Sequence, residues 1–251
     1  MAVAVTGTPV AHSPTTTESP STVSVTVPAG ATKLIVCAGV SSSTLAPTVS
    51  GITWNTSSNL TQRGHVNNNN GVQGGTADIW TFDNPSAATA NVVISYTGSA
   101  IRPACVIFCV TGAGAGISGS QATSTTTTSV SLSTPVNGLS VMMAFTDNES
   151  TVTLTVANSQ SEQGQAKNTG ATTSTKMAAA TLAGTGSSIT LSYTVSAGSP
   201  DIKLGVAIAL AASGSAPTFR SRTTDDLGTR AGSRRTFFRD RHLWLPEPAF
   251  R

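Results

Sequence analysis

The chain has 251 residues, enough for one large β domain or two small ones. Only 10% are charged, against a usual ~25%. The net charge of +3 is uneven: residues 1–214 carry six Lys/Arg and seven acids, whereas residues 215–251 carry eight Arg and four acids. The basic balance therefore belongs to the tail, which argues against a nucleic-acid-binding body.

Residues 1–20 hold one short strand candidate, Val3–Thr6, then a Thr/Pro-rich lead-in. This segment reads as an N-terminal arm or an edge strand. Thr22–Val27 alternates, with valines at 23, 25 and 27, and Pro28-Ala-Gly30 closes it. Lys33–Val40 is a nearly continuous apolar run, the pattern of a strand buried on both faces. A long loop is expected next, containing Trp54, Asn55 and the Asn67–Asn70 run. Ala77–Phe82 forms a strand and Asp83-Asn-Pro85 a turn. Asn91-Val-Val-Ile-Ser-Tyr-Thr-Gly98 alternates, and Ala104–Thr111 is again a buried-type run.

The order then repeats. Ser129–Ser133 ends at Pro135, 107 positions after Pro28, and Leu139–Phe145 is the second buried-type strand. Thr151–Ala157 alternates, a polar loop is expected over 158–174, and Lys176–Leu182 follows. Ser188-Ile-Thr-Leu-Ser-Tyr-Thr-Val195 then leads into Ile202–Leu210, placing Tyr193 97 positions after Tyr96. No segment has a 3.6-residue period. About a dozen short strands predict an all-β antiparallel sandwich, jelly-roll-like, in a body spanning 21–213 with two similar halves at about 21–116 and 125–213. Two arrangements fit this pattern: one sandwich built from both halves, which we favour, or two small sandwiches in tandem.

Residues 214–251 differ in character, holding five of the twelve aromatics among the eight Arg. Pro246 and Pro248 rule out a closing helix. Aromatics mixed with Arg are the residues of interface hot spots. The segment reads as an extended docking arm carried by Phe219, Arg234, Arg235, Phe237, Phe238, Arg239, Arg241, Leu243, Trp244 and Phe250.

No catalytic, cofactor or metal constellation is expected. Gly114-Ala-Gly-Ile-Ser-Gly119 matches a dinucleotide fingerprint, but the Thr/Ser run after it is no helix, and the motif needs one. His12, His65 and His242 have no ligand at metal spacing, and the cysteines form no C-x-x-C. A Gly-x-Ser-x-Gly elbow is missing. Cys105 and Cys109 would lie roughly 13 Å apart on one strand, too far for a disulfide. The opening residues lack the pattern of a secretory signal, and no apolar run approaches the ~20 residues of a membrane span. Trp54, beside the Asn-rich loop, is a candidate glycan-binding residue, whereas Trp80 is expected to fill the core.

Through Val27-Pro-Ala-Gly-Ala-Thr-Lys-Leu-Ile-Val-Cys37, Ala77-Asp-Ile-Trp-Thr-Phe-Asp-Asn-Pro-Ser86 and Asn91-Val-Val-Ile-Ser-Tyr96, the chain resembles a diffuse group of tailed-bacteriophage virion proteins. The likeness covers about residues 20–112, with a weaker echo to 211, and its motifs describe strands and turns. It implies a β-sandwich on the particle surface: a capsid decoration protein, head fibre or tail component, assembled in the host cytoplasm. The partners expected are other virion proteins and copies of itself, with a host surface glycan as the alternative, and neither nucleic acid nor membrane.

Overall fold

The computed structural model describes residues 1–15, 17–43, 47–69, 73–99, 101–115, 117, 122–147, 152–168, 175–196 and 202–214. The docking-arm residues Phe219 to Phe250 lie outside them. Every regular element among the described residues is a strand.

The first half contributes β1 (Ala4–His12), β2 (Ser21–Val27), β3 (Lys33–Ser42), β4 (Thr48–Trp54), β5 (Ser58–Asn59), β6 (Thr61–Asn69), β7 (Gly74–Asp83), β8 (Ala88–Thr97) and β9 (Ile101–Thr111). The second contributes β10 (Ala122–Ser124), β11 (Ser129–Ser133), β12 (Leu139–Asp147), β13 (Thr153–Val156), β14 (Ser161–Asn168), β15 (Thr175–Ala183), β16 (Ser188–Ser196) and β17 (Ile202–Leu210). Their sheets match strand for strand except for the two-residue β5, which has no counterpart in the second half. The five-stranded sheets run β1-β9-β3-β7-β6 and β10-β17-β12-β15-β14, and the smaller ones run β2-β8-β4-β5 and β11-β16-β13. All pairings are antiparallel.

Each half therefore closes a sandwich of its own, and the two halves pack on each other within one compact unit. The first sandwich core joins Val23, Val25 and Val27 to Leu34, Val36 and Ile107. The second joins Val130 and Leu132 to Met142, Ala144 and Ala207. A third core lies between the two five-stranded sheets, where Ile35, Ile79, Val106 and Phe108 meet Met143, Phe145, Leu204 and Val206. The result is four stacked sheets. The central strands of the two inner sheets are covered on both faces, which is why β3, β9, β12 and β17 read as continuous apolar runs. Strands β2, β8 and β11 have water on one face and alternate.

The N-terminal segment is an edge strand: β1 pairs with β9. The expected loop after Val40 is strand too. It holds β4, β5 and β6, with Asn67–Asn69 at the end of β6, and the expected polar loop at 158–174 contains β14.

Candidate functional site

The register of the inner sheets brings the chemically distinctive side chains together. Strands β6 and β14 each carry a bulge in the same place, between Gln62 and Gly64 opposite Ile79, and between Glu162 and Gly164 opposite Ala179. Bulges re-aim the strand and fix register, so Ile79 and Ala179 are equivalent. Following the ladders from there makes Cys37 equivalent to Met143, Gly39 to Phe145 and Ser41 to Asp147. The matched contacts agree: Arg63 Nε donates to Thr81 Oγ1 (3.2 Å), and Gln163 Nε2 donates to Thr181 Oγ1 (3.0 Å).

One polar cluster closes an end of the inner interface. Ser41 Oγ donates to Asp147 Oδ1 (2.9 Å) and shares a hydrogen bond with Thr175 Oγ1 (2.5 Å). Arg102 Nη1 reaches the same carboxylate oxygen at 3.5 Å, and Asn168 Nδ2 donates to the Pro103 carbonyl (3.2 Å). All five polar side chains are buried. Buried charges persist when paired and hydrogen-bonded, and these groups join β3 and β9 of one half to β12, β14 and β15 of the other. On the same face of β3, at its opposite end, Lys33 Nζ bonds Asp83, with Arg63 4.0 Å from the other carboxylate oxygen. Burial lowers the Lys33 pKa, and the bond and charge of Asp83 oppose that shift.

A second cluster faces outward from β6 and β7. Asp78 Oδ1 lies 2.6 Å from His65 Nδ1 and accepts from Gln62 Nε2 at 2.8 Å. Its side chain is only 1% exposed, whereas that of His65 is 40% exposed. Burial pushes the Asp78 carboxyl up to about 6, against the bonds and charge of His65 and the bond of Gln62. Asp78 sits in mid-strand in β7, inside the strand the sequence predicts at Ala77–Phe82. A His–Asp pair orients an imidazole toward a nucleophile only if a hydroxyl or thiol reaches the ring, and among the described residues none bonds His65. In the second half, Gln165 and Glu162 keep a bond at the equivalent place (3.0 Å), but Ala178 replaces the aspartate.

The sequence-derived candidates separate clearly. Trp54 is 2% exposed inside the first sandwich core, so it offers no face to a sugar. This corrects the expectation of Trp54 as a glycan-binding residue: β4 alternates, and its even-numbered end residue points inward with Ile52. Trp80 fills the same core. Cys37, Cys105 and Cys109 are free and buried, and burial lifts the Cys105 and Cys109 thiols to about 12 and about 11. His12 Nε2 lies 2.9 Å from Glu18 Oε2. Among the described residues no group of three His, Cys, Asp or Glu could hold a metal ion.

The outermost faces carry short polar groups. Thr22, Ser24 and Thr26 of β2 are exposed, as are Thr89, Asn91, Ser95 and Thr97 of β8. Cross-strand hydroxyl pairs link Thr26 to Thr89 (2.8 Å) and Thr48 to Thr97 (2.5 Å). Ser131 and Thr190 form the same pair on the far face of the stack (2.7 Å). Comparison with protein-family models, with curated proteins and with solved structures returned no match.

Proposed function

We propose that the chain is a non-enzymatic structural protein of a bacteriophage particle, a capsid decoration or other surface component fastened to neighbouring subunits by its C-terminal arm. The observation that carries this reading is where the polar chemistry goes. The Ser41–Asp147–Arg102 cluster is built into the contact face of the halves, and the buried Lys33 is paired with Asp83 of its own half. The exposed strands of the outer sheets present serines and threonines. Such an arrangement makes a rigid, weakly charged building block. The resemblance of residues 20–112 to phage virion proteins points the same way, and the Arg/aromatic composition of 215–251 suits docking.

The reading is tested by locating the protein on purified particles with an antibody against the body. The full chain and a chain lacking residues 215–251 are then compared for incorporation. Full-length protein on the particle surface, with loss of incorporation by the folded truncation, is the expected result. Absence of the full-length protein from the particles overturns the reading, and full incorporation of the truncation removes the docking role of the arm.

A further inference from the structure

The contacts between the halves come in matched pairs. A side chain added at Gly64 would meet Val206, and one added at Gly164 would meet Val106, which are equivalent pairs with the halves exchanged. Strand β17 packs across β6 and β7, while β9 packs across β14 and β15. Asn68 Nδ2 donates to the Thr125 carbonyl (3.0 Å) just after β10, and the Lys167 amide donates to Ser13 Oγ (2.9 Å) just after β1. Beyond β9 and β17 the chain ends pair with one another: Gly114 N donates to Ala211 O, and Ser213 N to Gly112 O. Residues equivalent to each other also touch, as Ser41 does Asp147. An added Gly39 Cβ would lie 2.5 Å from the Phe145 ring. Equivalent residues meet only beside a two-fold axis, so the contact is isologous.

We infer that the inner face of each half is a complete recognition surface for the other half, the interface of a two-fold dimer carried within one chain, and that it selects the unlike partner. The selectivity comes from the residues beside the axis. Two copies of the second half would crowd two Phe145 rings into the space one ring occupies and would set two Asp147 carboxylates face to face. Two copies of the first half would oppose Gly39 to Gly39 and leave a void, with Arg102 deprived of its carboxylate. Specificity requires the wrong pairings to be penalised as well as the right one favoured, and this arrangement does both.

The test is a full-length chain with a specific protease site between Ile117 and Ala122, prepared unlabelled and isotope-labelled, cleaved while folded and mixed. The cleaved mixture is unfolded in urea, refolded together and weighed by native mass spectrometry, and complexes of one first half with one second half, scrambled in label, bear the inference out. Free halves, or like-with-like pairs, overturn it. A second measurement uses the intact chain. Ser41→Asp alone opposes two carboxylates and should lower the melting temperature. Adding Asp147→Ser should restore most of the loss, because the new Asp is the cross-strand neighbour of Arg102. A double variant no more stable than Ser41→Asp overturns the claim.

Discussion

Replacing Gly39 by Ala tests the inner interface with a single methyl group. An ideal Cβ there lies 2.5 Å and 2.7 Å from two carbons of the Phe145 ring and 2.8 Å from Met143 Cε. Non-bonded carbons settle at about 3.5–4.0 Å, so the ring or the sheet must move by about 1 Å. Neither can do so freely, since Phe145 and Met143 are fully buried and the Phe145 ring also borders Gly75. Overpacking of this kind costs about 1–3 kcal/mol, which for a chain of this size lowers Tm by roughly 2–4 °C per kcal/mol. Thermal and urea denaturation of Gly39→Ala, Phe145→Leu and the double variant complete a cycle. Because both single changes act on one contact, the smaller side chain should relieve the methyl, with a coupling of about 0.5–3 kcal/mol. A neutral Gly39→Ala, or strict additivity, refutes face-to-face packing of the two inner sheets.

Three further outcomes follow from the same geometry. Asp147→Ala leaves Arg102 buried without its carboxylate and should cost about 3–5 kcal/mol in a urea titration. Asp78 has its pKa raised from 3.8 to about 6 in the fold, so the native state binds its proton more readily than the unfolded chain. Stability from this group therefore rises as pH falls from about 6 to about 4, by up to about 3 kcal/mol, and the difference between the pH profiles of wild type and Asp78→Asn should show it. Trp54→Ala should lower stability by about 3–5 kcal/mol through loss of core packing, and a melt that does not move would return Trp54 to the surface.

The strands covered on both faces, and the alternating strands beside them, were readable because apolar residues are what water exclusion selects there. The duplication was readable for the same reason: the Ser-Tyr-Thr strands and the two prolines 107 positions apart recur with the layers they serve. Strands β4, β5, β6 and β14 carry a weak sequence signal because they lie at or next to a sheet edge, half exposed and rich in Asn, Gln, Ser and Thr. Bulges at Gly64 and Gly164 also interrupt their period of two. The inward direction of Trp54 follows from strand β4, whose alternation the bulge between Val49 and Gly51 interrupts. The Ser41–Asp147–Arg102 cluster could not be read from sequence at all. Its members are separated by 45 to 106 positions and meet only because two sheets stack across a two-fold axis.

The account stands most directly on the matched contacts across that axis. Nuclear Overhauser measurements on methyl-labelled protein should connect the Val206 methyls to Gly64 and the Val106 methyls to Gly164. Both cross-peaks together are the predicted result. Their joint absence in a folded sample would contradict the stacking of the halves.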